Sequence, residues 1–391
     1  MLRKILIIAI GMILGALSPV LAQLPDLKQL TQAQNYVPKP AVIAHRGTTY
    51  WAPEETEAAF RWARNMGADY LEADLQLSQD GTILTLHDHN LCRTTDIATI
   101  YPDRADNPAI TFTYRELLRL DAGSWFNKKY PARARKSYQG LEILTLEDLI
   151  KIAEGYRIER DRQNHRVIHT DGSFAYVKDE ADNGNRPGIY LEFKEPEFNP
   201  DIEKRVKQEL SRLGWNVMQT PATSQLWYKG GRVNVGHTNG KVVLQTFSEE
   251  SLIRIENLFR GKLPTTFLIP WDPSQVFLAL PSSLKNKVLF AKKHGAQFVG
   301  PSIAADKVGK YASSWLHQLL FKQSTWIHDQ RLKLHPYTFD TAIQMENWFP
   351  YVDGVFTNRV DLALNFYKRK GLAQARPRLQ DAKKILEKLG Y

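Results

Sequence analysis

Four groups of side chains able to do acid–base, metal or phosphate chemistry fall in or just after short apolar runs. His45-Arg46-Gly47 closes the run Ala41–Ala44. Glu72 and Asp74 lie within Tyr70–Leu75. His87-Asp88 closes Thr82–Leu86. Glu192 lies in Gly188–Phe193 and Lys194 just after it. The pairs Glu72/Asp74 and Glu192/Lys194 are spaced i, i+2, so in a strand each pair shares a face. Leu71, Ala73 and Leu75 occupy the other face of the Glu72/Asp74 strand. If the shared faces converge, three carboxylates crowd together and raise each other's pKa, as like charges within about 4–6 Å do. A divalent cation relieves this, and an all-oxygen ligand set suits a hard ion, Ca²⁺ or Mg²⁺. Cys92 is the sole cysteine, which excludes an intramolecular disulfide and a cysteine-based metal site. His45 and His87 can supply an acid and a base near neutral pH. Arg46 offers a bidentate fork for phosphate and Lys194 a point charge. This set points to cleavage of a phosphoester.

The elements that must position these groups alternate. Nine strand candidates can be read: Ala41–Ala44, Tyr70–Leu75, Thr82–Leu86, Gly188–Phe193, Lys241–Thr246, Thr265–Ile269, Gln297–Val299, Leu332–His335 and Gly354–Phe356. Several lack polar/apolar alternation, as strands buried on both faces do. Helical periodicity marks Thr56–Met66, stopped by Gly67, then Ile202–Leu213, stopped by Gly214, and Glu249–Phe259, Phe339–Phe349 and Leu379–Leu389. Alternating β and α predicts a parallel α/β sheet, either an eight-stranded barrel or an open sheet. Nine candidates for eight places leave one strand outside such a barrel. Cys92–Gly140 and Arg157–Pro187 are polar and break the rhythm. They read as an insertion at about 92–187, after the third strand and beside the active face.

The start, MLRKILIIAIGMILGALSPVLAQ, has a basic end, thirteen apolar residues from Ile5 to Leu17, and small residues before a cut at Ala22. This pattern is a secretory signal peptide over 1–22, with 23–391 expected as one soluble domain in the periplasm or exterior of a bacterium. The run is shorter than the ~20 residues a membrane span needs. Of 391 residues, 43% are hydrophobic and 24% charged, an ordinary globular balance that excludes disorder or a fibrous repeat. The net charge of +10 favours anionic partners, and loss of Arg3 and Lys4 with the leader leaves +8. No nucleic-acid motif accompanies the charge, so nucleic acid is not expected as a partner. The basic C-terminal segment, Lys368–Tyr391, is suited to peripheral contact with a membrane.

The stretch IAHRGTTYWAPEETEAAFRWARNMGADYLEADLQLSQDGTILTLHDHNLCRTTD resembles the opening of the glycerophosphodiester phosphodiesterase family, as do the later blocks LEILTLEDLI and IYLEFKEP. The resemblance spans about 50 residues nearly continuously and reaches Thr357 in scattered blocks. It implies a TIM (β/α)8 barrel whose site lies at the C-terminal face. It implies Glu72, Asp74 and Glu192 as metal ligands, His45 and His87 as the acid/base pair, and Arg46 and Lys194 on the phosphate. It further implies hydrolysis of a small glycerophosphodiester to an alcohol and sn-glycerol 3-phosphate, with a cyclic phosphate as the proposed intermediate. Likeness to the periplasmic branch favours Ca²⁺ over Mg²⁺. Glu55 stands where the family often has Asn, and Tyr337-Thr338 and Thr357-Asn358 replace Trp-Thr and Thr-Asp. Phe247, Trp271 and Tyr337 are candidate pocket-wall residues. Two other functions compete: a phospholipase acting on intact or lyso-phospholipids, and a non-catalytic barrel that holds a polyol phosphate. All seven site residues are present, which counts against the second.

Overall fold

The computed structural model describes residues 27–270, 280–303, 314–372 and 376–391, so the leader Met1–Ala22 and Trp271 lie outside the described residues. Eight parallel strands follow one another around a barrel in chain order: β1 (Ala41–Ala44), β2 (Tyr70–Leu77), β3 (Gly188–Phe193), β4 (Val242–Thr246), β5 (Thr265–Ile269), β6 (Phe298–Pro301), β7 (Lys333–Leu334) and β8 (Gly354–Thr357). Ladders join each neighbour from β8 through β1 to β7. Backbone hydrogen bonds close the ring between β7 and β8: Asp353 N to Leu334 O (2.9 Å), Phe356 N to Pro336 O (3.1 Å) and Phe339 N to Phe356 O (2.8 Å). Each strand is followed by a helix: α1 (Glu57–Met66), α2 (Leu146–Ala153), α3 (Ile202–Arg212), α4 (Glu249–Phe259), α5 (Ser282–Lys293), α6 (Ser314–Asp329), α7 (Ala342–Trp348) and α8 (Val360–Arg369). This is a (β/α)8 barrel.

Local chemistry sets the helix boundaries. α1 stops where Gly67 turns left-handed (φ 99°) and donates to the Ala63 and Arg64 carbonyls. Capping boxes start α2 (Thr145 with Asp148) and α7 (Thr341 with Gln344). Strand parity then sorts the core into two compartments. Leu71, Ala73 and Leu75 of β2, with Ile189, Leu191 and Phe193 of β3, pack outward against the helices. Tyr70 and Tyr190 point inward, sharing the barrel's lower interior with Ile43, Val243, Phe298 and Phe356. Glu72, Asp74 and Glu192 continue those inward rows toward the C-terminal mouth.

The ninth strand candidate is outside the ring. Ile83–Thr85 pairs antiparallel with β2 (Leu77 opposite Ile83, Leu75 opposite Thr85), so the third strand in the chain is a flap and not a barrel strand. The expected insertion at 92–187 also divides, because it contains the barrel helix α2. One extra stretch joins the flap to α2. The other, 154–187, is a hairpin (Tyr156–Ile158 with Tyr176–Lys178) that runs back along α2. A buried ion network fastens it there. Arg166 donates to both Asp148 oxygens (2.8 and 3.0 Å) and to Glu142 (2.9 Å), and the Tyr176 hydroxyl donates to Asp148 (2.8 Å).

Candidate active site

The site assembles from strand ends. Asp74 lies directly opposite Glu192 in the β2–β3 ladder, and Glu192 opposite Gln245 in β3–β4. Oxygens of Glu72, Asp74 and Glu192 all lie within 4.8 Å of one another, and all three residues are buried. Glu72 is clamped from two sides, by the Arg46 backbone N–H (2.7 Å) and the Gln245 amide (2.8 Å). Burial, then Asp74 and Glu192, push the Glu72 carboxyl well above the carboxylate range. Burial, then Asp74, push Glu192 up to about 8. Burial acts on Asp74 in the same direction, but Arg46, His87 and Lys194 hold it below the usual range. Asp74 Oδ2 is buried, and Arg46 Nε lies 3.2 Å from it without being aligned to donate. Three buried acids that cannot all ionise beside one another, one with an unmet oxygen, fit a hard divalent cation.

The loop after β1 is shaped to deliver His45 and Arg46. Arg46 and Gly47 are both left-handed (φ 51° and 81°), and a Cβ on Gly47 would stand 2.8 Å from that of Ala59. The turn aims the Arg46 N–H at Glu72 and lets its side chain reach Glu54 (Nη1 to Oε1, 3.1 Å). Glu55 is also left-handed (φ 58°). Its Oε1 accepts the Asp74 N–H (3.0 Å), a donor that lies beyond the β1–β2 pairing.

The histidines are held differently. His45 Nδ1 is 2.8 Å from Asn358 Oδ1, while the Asn358 amide nitrogen donates to Asp340 (2.8 Å). That second bond fixes the amide orientation, so Asn358 presents an acceptor and His45 carries its proton on Nδ1. Burial, then the Arg46 charge, push His45 down to about 3, so it is neutral with an Nε2 lone pair. His87 arrives by the flap. After Thr85 the chain continues back along β2, with Leu86 N bonded to Asp74 O (2.8 Å), which brings the ring toward Asp74 rather than to a barrel-strand end. His87 Nδ1 is 2.5 Å from Asp88 Oδ1. Burial would raise the Asp88 carboxyl, but His87 and Arg93 hold it below the usual range. Arg93 also bonds Glu54 (2.6 Å), joining the His87 and Arg46 supports.

Lys194 Nζ is 3.0 Å from Glu192 and 5.5 Å from the Phe247 ring centre, and Phe247 meets Tyr337 edge-on at 5.8 Å. Phe247 and Tyr337 therefore stand together beside Lys194. The four expected groups do come together, with two corrections: His87 rides on an antiparallel flap, and α2 lies within the supposed insertion. Sequence reasoning missed Asn358, Gln245, Glu54 and Arg93. Strand parity opposite Glu192 points to Gln245, and Asn358 stands out in the sequence only as a departure in the Thr357-Asn358 pair.

Residues 45–362 match the glycerophosphoryl diester phosphodiesterase family. The chain belongs to that family. It is similar to the glycerophosphodiester phosphodiesterase of Bacillus subtilis (strain 168), 29% identical over 329 residues, covering 84% of this chain and 85% of the relative. A candidate glycerophosphoryl diester phosphodiesterase from Silicibacter pomeroyi DSS-3 shares the fold (TM-score 0.59, 16% identity, 88% and 98% covered). So does an Oleispira antarctica phosphodiesterase solved with the product sn-glycerol-3-phosphate (TM-score 0.50, 19% identity, 82% and 93% covered). Family and relatives together make this protein a glycerophosphodiester phosphodiesterase, a hydrolase.

Proposed function

We propose that the protein hydrolyses small glycerophosphodiesters to an alcohol and sn-glycerol 3-phosphate, using His45 as first base and His87 as first acid at a carboxylate cradle for Ca²⁺. The observation that carries this is the opposite fixing of the two histidines, one by an amide acceptor and one by a carboxylate. When bound to Glu72, Asp74 and Glu192, a divalent cation would offset their charge and polarise a phosphoryl oxygen. Arg46, anchored by Glu54, and Lys194 neutralise the phosphodiester. His45 Nε2 accepts the proton of the attacking glycerol hydroxyl, and the substrate's negative charge counters the effect of Arg46 on the ring. His87 donates its proton to the departing alkoxide as the P–O bond breaks, while Asp88 orients its ring and offsets the imidazolium charge. Water then opens the cyclic phosphate with the roles reversed. Phe247 and Tyr337 form a wall for the glycerol or headgroup. The product seen in the Oleispira antarctica relative supports this choice of substrate.

Ca²⁺ over Mg²⁺ rests on the likeness to the periplasmic branch, and Met1–Ala22 is proposed as a leader cleaved on export. Residues 23–391 are likewise proposed to form one barrel unit. No helix among the described residues is long and apolar enough to cross a membrane. The test is release of sn-glycerol 3-phosphate from glycerophosphocholine, with EDTA and then with Ca²⁺ or Mg²⁺ restored. Turnover that requires a cation and is abolished in His45→Ala is expected. Turnover unaffected by EDTA, or none with either metal, overturns the proposal.

A further inference from the structure

A second charged feature lies at the opposite end of the barrel. Arg232, Lys368, Arg376 and Arg378 line a cleft of about 870 Å³, and no acidic side chain lines it among the described residues. Arg376 is built in. Its Nη1 is 2.9 Å from Asp69 Oδ2, its Nη2 donates to the Pro40 carbonyl, and its guanidinium stands 5.2 Å from the Tyr228 ring centre. Arg232, Lys368 and Arg378 are exposed, and no carboxylate pairs with them among the described residues. This contrasts with Arg93, Arg166, Arg186 and Arg212, each held by one or two acids. Between the cations, the hairpin Tyr228–Lys229/Arg232–Val233 turns through Gly230 and Gly231. Both are left-handed (φ 59° and 71°), and a Cβ at either would meet nothing within 4 Å, so bare backbone faces open space.

Position separates this cleft from the catalytic mouth. Pro40 and Asp69 immediately precede β1 and β2, at the N-terminal ends of the strands. Asp69 is five residues from Asp74 along β2, about 17 Å at the rise of an extended strand. A ligand held in this cleft therefore does not touch the carboxylate cradle.

We propose that this cleft is an anion site for a phosphate group carried on a polar headgroup. Three unpaired cations converge on it, two of them guanidinium forks suited to phosphate oxygens. Its volume exceeds that of a bare phosphate and leaves room for a substituent. The phosphate can come from an anionic lipid surface or from a soluble phosphate ester, and the experiment separates the two.

Binding of inorganic phosphate is measured by calorimetry on EDTA-treated full-length protein carrying Arg46→Ala and Lys194→Ala, so that the catalytic mouth does not contribute. Co-sedimentation with phosphatidylglycerol vesicles, and with phosphatidylcholine vesicles as control, forms the second arm. Both are repeated with Arg232→Gln, Lys368→Gln and Arg378→Gln combined. Removing a cation near an anionic surface costs roughly fivefold in affinity, so the triple change is expected to weaken binding about a hundredfold. The same three changes in the otherwise unaltered chain leave glycerophosphocholine turnover intact, which confirms the fold. Loss of phosphatidylglycerol binding in the triple variant assigns a lipid source. Phosphate binding that the triple change weakens, without vesicle binding, assigns a soluble one. Absence of both, or binding equal in the two proteins, overturns the proposal.

Discussion

The raised Glu192 carboxyl makes the stability of the metal-free protein depend on pH with a defined sign. Its pKa moves from an ordinary 4.5 to about 8 through burial and Asp74. A carboxyl raised in the fold binds its proton more tightly folded than unfolded. Its contribution is therefore fully present below about pH 4.5 and is lost as pH rises toward 8. At about 1.4 kcal/mol for each tenfold change, the displacement is worth about 5 kcal/mol. With unfolding entropy near 2.1 cal/mol/K per residue, 391 residues give about 0.8 kcal/mol/K, so the loss is about 6 °C in Tm. The perturbation is Glu192→Gln, which keeps the shape and removes the titration. Scanning calorimetry of EDTA-treated protein at pH 5.5 and 8.5 should find the variant about 2 °C more stable than wild type at pH 5.5, where the loss has begun, and about 6 °C more stable at pH 8.5. Added Ca²⁺ should stabilise wild type at pH 8.5 and leave the variant nearly unmoved, because the cation takes the place of the proton. If the difference between the two metal-free proteins is the same at both pH values, or larger at pH 5.5, the carboxylates do not crowd as described.

Three further outcomes follow from the same contacts. Asn358→Leu removes the acceptor that sets the His45 tautomer, so kcat should fall roughly 10²-fold or more at nearly constant KM, while Asn358→Asp restores part of it. Replacing Tyr337 by Ala removes one pocket wall, and steady-state kinetics should show KM rising about tenfold with kcat changed little. Arg166→Met leaves the buried Asp148 without its cation, while Glu142 keeps Arg160, which should cost about 3–5 kcal/mol and lower Tm without changing KM.

Most of the barrel was legible because its strands are buried on both faces and its helices stop at glycines. β1, β3 and β5 coincide with their sequence-based bounds, and Gly67 caps α1 in the left-handed conformation expected. The carboxylate cradle was legible through parity alone: alternating apolar neighbours forced Glu72, Asp74 and Glu192 inward. Strand direction was not legible. The run Ile83–Thr85 has the composition of a barrel strand, and only its pairing with β2 shows that it runs the other way. The helix α2 was absorbed into the polar stretch around it, since eight residues with a Thr–Asp box form a weak signal between long irregular segments. Asn358 and Gln245 escaped for another reason. Single amides at strand ends are common, and their roles come from partners 313 and 173 residues away.

The division of labour between His45 and His87 is tested most directly by a leaving group that departs without a proton. Glycerophospho-p-nitrophenol and glycerophosphocholine would be compared with His45→Ala and His87→Ala, each with Ca²⁺ present. His87→Ala should lose about 10²–10⁴-fold on glycerophosphocholine yet stay within about tenfold of wild type on the nitrophenyl ester. His45→Ala should lose activity on both. Rescue of His45→Ala by the nitrophenyl ester, or no rescue of His87→Ala, would contradict the assignment of base and acid.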